Sequence, residues 1–405
     1  MAWEVKKLGD VCEVKPPKKE ARDKLKENDP VSFVPMEDLG INQKVLIPIK
    51  ERKLKEVEGS YTYFANGDVL LAKITPCFEN GKLGIAKSLK NGVGFGSSEY
   101  IVFRTNRNLF SEYLYYFLLR PQFREEGAKR MTGAVGHKRV SKEFIENIEI
   151  PLPPLPIQKR IVAILDKAFE SITKAKENAE KNLNNANEVF DSYLESVFEN
   201  KGEGWEEKTL GEIAEINPKK SEIKNMPIDK VVSFLPMEDL GILQKQTIPV
   251  KTRKLSEVVG SYTYFAENDI LLAKVTPCFE NGKLGIARNL KNGIGFGSSE
   301  YIVFRSQSNL CFEYLFYLLS SNKFRNNGKK LMFGACGLKR LSKDYVQNTS
   351  IFLPPLNEQQ SIIKKLDNLS QKTKHLELIY QKKLSSLEEL QKSILQKAFN
   401  GELTP

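Results

Sequence analysis

The stretch TPCFENGKLGIA occurs at Thr75–Ala86 and again at Thr276–Ala287, and each copy runs on into NG(V/I)GFGSSEYIVFR. Whatever fold one copy takes, the other must take too. From Ser60 to Arg104 the partner segment Ser261–Arg305 departs only at Asn66/Glu267, Gly67/Asn268, Val69/Ile270, Ile74/Val275, Lys87/Arg288, Ser88/Asn289 and Val93/Ile294. The match extends outward, pairing Trp3–Val14 with Trp205–Ile216 and Val31–Ile41 with Val232–Ile242. Ile150–Leu165 likewise pairs with Ile351–Leu366. Solenoid repeats recur every ~20–50 residues. A period about four times longer is that of duplicated domains.

Within each copy, short β-branched and aromatic runs (SYTYF, DVLLAKI, YIVFR) alternate with turn signals (NG, ENGK, GFG), which predicts strands. SEYLYYFLLRPQF at Ser111–Phe123 reads as helical. Each lobe is therefore expected to be mixed α/β. After each LPPL the pattern changes. Apolar residues recur in steps of three and four from Ile161 through Ala179 to Val197, and from Ile362 through Leu376 to Ala398. Sustained steps of this kind predict long coiled-coil-like helices. The layout is a lobe at 1–154, a helix at 155–200, a lobe at 201–355 and a helix at 356–405. Pro156 suits a first helical turn and Asn357 an N-cap, so the two starts should differ by about one residue. The alanines of the first seam admit a bulkier neighbour, so the helices are expected to pair antiparallel; the alternative is that each packs only on its own lobe.

No run of 18 or more apolar residues is present and MAWEVKKLG lacks the features of a secretory signal, so a cytoplasmic protein with no membrane association is expected. The five cysteines (Cys12, Cys77, Cys278, Cys311, Cys336) show no C-x-x-C spacing and read as reduced thiols. With two histidines in all, His137 and His375, a dedicated zinc site is not expected. The net charge of +11 is concentrated in the lobes, with 26 Lys/Arg against 21 Asp/Glu in residues 1–155 and 22 against 16 in residues 201–355. A polyanion gripped by both lobes would account for this, DNA first among the candidates.

Catalytic motifs are missing. The chain has no G-x-x-x-x-G-K-[ST], no H-E-x-x-H and no N-P-P-[FY]. GVGFGSSE at Gly92–Glu99 precedes a strand rather than opening a helix, so its glycines are expected to serve a tight turn and not a phosphate site. Catalysis by this chain is not expected.

Taken together, the order lobe, helix, lobe, helix, the W-E-x-K-x-L-G-[DE] opening of each lobe, and LPPLPIQKRIV and LPPLNEQQSII at the helix starts resemble type I restriction–modification specificity subunits. LLAKITPCFENGKLGIA with GFGSSEYIVFR is similar to one subclass of their target-recognition domains. The resemblance covers essentially the whole chain. Ile157 departs from the pattern, standing where the family has an acidic residue before Gln; Glu358 keeps it in the second copy. The resemblance implies a non-catalytic scaffold with pseudo-two-fold symmetry. Each lobe would read half of a split target in double-stranded DNA, and the helices would space the half-sites and help dock two methyltransferase subunits. Cofactors would belong to the partners: S-adenosylmethionine to the methyltransferase, ATP and Mg²⁺ to a restriction (motor-nuclease) subunit. The rivals are a stand-alone DNA methyltransferase or nuclease, and a protein scaffold that does not touch DNA.

Nearly identical lobes related by a dyad should read nearly identical half-sites, in an interrupted, close-to-palindromic target with centres roughly 34–36 Å apart. For base contact the candidates are Lys73, Thr75, Asn80, Lys82, Ser97 and Ser98, with their equivalents Lys274, Thr276, Asn281, Lys283, Ser298 and Ser299. Asn can pair with adenine and Lys with guanine, while Ser and Thr serve bases or phosphates. Turn capping is the competing role for Thr75, Asn80 and Ser97. Lys138 and Arg139 in GHKR, with Lys339 and Arg340 in GLKR, are the candidate phosphate clamps. Glu79 and Glu280 are expected to anchor structure.

Overall fold

The computed structural model describes residues 3–134, 136–335 and 337–403, so Cys336 lies outside the described residues. It forms two compact units, Met1–Glu180 with Lys382–Pro405, and Lys181–Gln381. The division runs through the long helices, so each unit holds one lobe and a stretch of both helices.

The first unit contains β1 (Val5–Lys7), β2 (Cys12–Val14), β3 (Pro30–Val34), β4 (Val45–Leu46), β5 (Lys50–Lys53) and β6 (Thr62–Ala65). It continues with β7 (Val69–Ala72), β8 (Leu83–Ala86), β9 (Val93–Gly96), β10 (Tyr100–Thr105) and β11 (Glu149–Pro151). A five-stranded sheet of order β2-β10-β7-β8-β4 accompanies a four-stranded sheet of order β5-β3-β9-β6, while β1 pairs with β11. Every pairing is antiparallel except β4 with β8 and β3 with β9. Side chains alternate across a strand, so a strand covered on both faces reads as a continuous apolar run. VLLA of β7 is such a strand: Val69 and Leu71 enter a core with the helices, and Leu70 and Ala72 enter one that also holds Val34 and Phe64 of the other sheet. Ile101/Phe103 and Tyr100/Val102 of β10 divide the same way. The second unit repeats both sheets with the same strand order in the matching segments.

The expected mixed α/β lobes are present, with three local differences. The Ser111–Phe123 stretch is two helices, Ser111–Leu119 and Pro121–Lys129, because Arg120 before Pro121 is forced out of helical geometry to φ −59°, ψ 137°. The GFG glycines do not serve a tight turn. Gly94 and Gly96 lie within β9, and a Cβ on Gly94 would meet the buried Phe64 ring at 2.2 Å. One on Gly96 would lie 2.4 Å from the Val34 carbonyl oxygen and 2.6 Å from the Tyr100 ring. Close approach of the neighbouring chain is what requires glycine here. Gly96→Ala is expected to destabilise the unit by about 3 kcal/mol, read as a lower urea midpoint at constant slope, since backbone cannot yield as a side-chain tip can.

The third difference concerns the long helices, Leu155–Glu199 and Leu356–Phe399, each about 66 Å long at 1.5 Å per residue. They begin at equivalent residues rather than one residue apart. Pro156 does lie in the first turn, but so does Asn357, which is therefore not an N-cap. What fixes both starts is the glutamine three residues in. Gln158 is fully buried; its Nε2 donates to the Asn108 and Pro153 carbonyls at 2.8 Å each, and its Oε1 accepts from the Phe110 N–H at 2.8 Å. Gln359 repeats all three bonds with Asn309, Pro354 and Cys311.

Each lobe core receives the start of one long helix and the end of the other. In the first unit Ile161 and Leu165 share a core with Leu395, Ala398 and Phe399, and Lys176 Nζ reaches Gln391 Oε1 at 3.1 Å. In the second unit Leu194 shares a core with Ile362 and Leu366, and Thr373 Oγ1 donates to the Ala186 carbonyl at 3.5 Å. The helix stretches are thus antiparallel in both units, and packing of each helix only on its own lobe is excluded. Cys12, Cys77, Cys278 and Cys311 are free thiols. Among the described residues no helix is long and apolar enough to cross a membrane.

Candidate nucleic-acid interface

The TPCFENGK segment is the connection between β7 and β8. It is held down by Phe78, fully buried and 5.6 Å from the Phe123 ring. Two further segments meet it. Lys73 N–H donates to the Glu99 carbonyl at 2.9 Å, joining it to the SSE turn before β10. Thr75 N–H donates to the Lys138 carbonyl at 2.9 Å, and Val140 N–H to the Lys73 carbonyl at 3.0 Å, joining it to the GHKR loop. The second lobe makes the same three bonds at Lys274–Glu300, Thr276–Lys339 and Leu341–Lys274. Residues far apart in sequence therefore form one surface, and it occurs twice.

Side-chain bonding separates the candidate residues. Lys82 Nζ donates to the Met36 carbonyl at 2.8 Å and Lys283 Nζ to that of Met237 at 2.7 Å, so both ammoniums tie loops together. Thr75 Oγ1 donates to Glu79 Oε1 at 2.9 Å and Thr276 Oγ1 to Glu280 Oε1 at 3.3 Å, which makes these carboxylates internal anchors. Ser97 and Ser298 accept from the N–H of Glu99 and Glu300, capping the turn. Lys73 and Lys274 rest on the carbonyls of Ser98 and Ser299 at 2.9 Å; burial lowers the Lys73 pKa, and neighbouring Lys15 adds to this. Asn80, Ser98 and Lys138, with Asn281, Ser299 and Lys339, are exposed, and among the described residues their side chains make no hydrogen bond. These six are available to a ligand.

Arg139 is exposed and Arg340 half-buried, and both are engaged. The Arg139 guanidinium donates from Nε and Nη2 to the two carboxylate oxygens of Glu99 at 2.9 Å each, and from Nη1 to the His137 carbonyl at 2.9 Å. Arg340 grips Glu300 in the same way, at 2.9 Å from Nε and 2.8 Å from Nη2. The Arg139 hydrogen bond holds the Glu99 carboxyl below the usual carboxylate range. Its stabilising share is accordingly complete at neutral pH and is lost only as pH falls through that lowered value. Glu99 and Glu300 were not among the sequence candidates, although SSEYIVFR in both copies marks them. Near the same surface, Glu79 Oε2 and Arg124 Nε are buried without a partner, as are Glu280 Oε2 and Arg325 Nε. The lobes differ at NQKVL (residues 42–46) against LQKQT (residues 243–247), and there Lys44 binds Asp166 of the first long helix at 2.5 Å while Lys245 binds Asp367 of the second.

Among the described residues no group of His, Cys, Asp and Glu is arranged to hold a metal ion. What the surface offers is hydrogen-bond donors and positive charge on short, tethered loops, which suits recognition of an extended polar ligand.

Comparison with known proteins gives a consistent pattern. The family model described as type I restriction modification DNA specificity domain matches residues 2–182 and again 202–386. The specificity subunit of the type I restriction enzyme EcoAI of Escherichia coli is 40% identical over 161 residues, 40% of this chain and 27% of that protein. That match and the similar one to the EcoEI subunit thus span about a quarter of the relatives' length. The MjaVIII specificity subunit of Methanocaldococcus jannaschii is 27% identical over 341 residues, covering 74% of this chain and 71% of the relative. In fold, a chain from a structure of complex assembly in a type I R-M system aligns over 99% of this chain and 98% of its own, with TM-score 0.77 and 21% identity. The HsdS subunit of Thermoanaerobacter tengcongensis aligns over 99% and 97%, with TM-score 0.65 and 21% identity.

Proposed function

Because the chain belongs to the family of type I restriction–modification DNA specificity domains, we propose that it is the DNA-reading subunit of such a system. In this reading it recognises a bipartite target and carries two methyltransferase subunits and, for cleavage, restriction subunits. S-adenosylmethionine, ATP and Mg²⁺ would act in those partners, and this chain would supply recognition without catalysis in the cytoplasm. The observation that carries the reading is the convergent three-segment surface, present in both lobes with the same exposed polar residues. A surface held twice in near-identical form should read nearly the same bases twice, so an interrupted, close-to-palindromic target is expected.

Sequencing modified adenines in DNA from cells that express the chain with its methyltransferase tests this directly. A split motif with closely related halves is the expected result; two unrelated halves would refute the palindrome, and an absence of new methylation would refute the function. Lys138 is exposed and, among the described residues, has no carboxylate partner, so its role is charge. Lys138→Ala should weaken binding to target and non-target duplexes alike and reduce the slope of log affinity against log salt by about one. An unchanged slope would remove Lys138 from the phosphate contacts.

A further inference from the structure

Arg139 differs from its neighbour Lys138 in a way that assigns it a separate task. Its backbone is pinned, donating to Thr132 at 2.8 Å and accepting from it at 3.1 Å. Its guanidinium carries five N–H groups in one plane. The edge formed by Nε and Nη2 is closed by Glu99, and one N–H of Nη1 by the His137 carbonyl. Two N–H groups are left, one on each terminal nitrogen, and among the described residues no acceptor takes them. The side chain is 45% exposed, so a ligand can approach it. In the second lobe Glu300 closes the same edge of Arg340.

A guanidinium paired to a carboxylate attracts a polyanion weakly, because its charge is already compensated and the carboxylate repels phosphate. What it gains is a fixed direction. Phosphate contact needs charge, whereas base reading needs two donors held in a set plane. In the major groove only guanine presents two adjacent acceptors, O6 and N7; adenine sets a donor beside its N7, and cytosine offers a donor. We propose that Arg139 and Arg340 each read one guanine, through its O6/N7 edge, with Glu99 and Glu300 as positioning residues. This revises the phosphate role expected for the two arginines, and it rests on the DNA-reading function proposed above.

The test uses the full chain in complex with its methyltransferase subunit and a duplex carrying the methylation-mapped target. Each guanine in turn is replaced by 7-deazaguanine, which keeps Watson–Crick pairing but lacks N7. For the wild-type complex, one guanine in a half-site should be sensitive, with affinity falling about 10- to 100-fold, the range of a bidentate base contact. Arg139→Lys keeps the charge and loses the fork. It should weaken binding to the unmodified target by a similar factor and show no further loss with 7-deazaguanine at that position. Glu99→Gln should lower target affinity while steepening the salt dependence of binding to a scrambled duplex, since it frees a cation; a merely structural Glu99 would leave that slope unchanged. The inference is overturned if Arg139→Lys stays as sensitive as wild type at every guanine, if it loses equal affinity for target and scrambled duplexes, or if the mapped half-sites contain no guanine. A wild-type complex that binds target and scrambled duplexes equally would instead bring down the DNA-specificity reading, and this inference with it.

Discussion

Gln158→Leu should cost the first unit about 3–5 kcal/mol, although leucine nearly matches glutamine in volume. The substitution leaves the buried Pro153 carbonyl without its donor, and also removes the partners of the half-buried Phe110 N–H and of the Asn108 carbonyl. Each buried group left without a partner costs about 1–3 kcal/mol, donors more than carbonyls. The duplication supplies an internal control, because Gln359 makes the same bonds in the second unit. Hydrogen exchange followed by mass spectrometry should show protection falling across residues 1–180 and holding at Lys181–Gln381. Loss spread evenly over both units, or no loss, would mean that the glutamine does not fasten the helix to its lobe.

The second large effect is expected at Asp68. Its carboxylate, 3% exposed, receives Arg104 in a bidentate pair at 2.9 and 2.8 Å and caps the turn through the Ala65 N–H at 2.8 Å. Burial raises the Asp68 pKa despite these partners, which marks the ionised form as one that needs Arg104 to persist. Asp68→Ala leaves a partly buried guanidinium held mainly by Glu20 at 2.6 Å. Breaking one side of a buried pair costs about 3–5 kcal/mol; with Glu20 remaining, and Arg104 26% exposed, about 3 kcal/mol is expected. Asp68→Asn, which can still accept from Ala65, should cost less. Thermal unfolding of the two variants checks the order; equal melting temperatures would show that the turn cap adds nothing to the ion pair, and an Asp68→Asn variant as stable as wild type would show that the ion pair contributes nothing. Asp269, Arg305 and Glu222 form the same cluster in the second unit and should respond alike.

Several features were legible because they depend on local pattern. The strand at VLLA and the long helices follow from periodicity, and the lobe-by-lobe repetition follows from near identity. The GFG glycines were misread because sequence shows where glycine stands and not what approaches it; Phe64 and the Val34 carbonyl decide that role. Asn357 looked like an N-cap because capping preferences are local, whereas a buried amide three residues in from the first helical residue fixes the start. The type of the candidate contact residues could not separate Lys82, bound to a carbonyl of the Met36 turn, from Lys138, whose side chain makes no hydrogen bond among the described residues.

By itself the sequence settled that this chain folds one α/β lobe twice, follows each with a long helix, and carries an excess of positive charge in the lobes. Those properties are written in residue spacing and composition. Tertiary structure alone decided which side chains remain available to a ligand, and that Arg139 and Arg340 are each gripped by a carboxylate while Lys138 and Lys339 are exposed. The reason is that a donor's availability depends on which acceptors the fold brings within about 3 Å of it, and for Lys73, Lys82 and Arg139 acceptors come from tens of residues away.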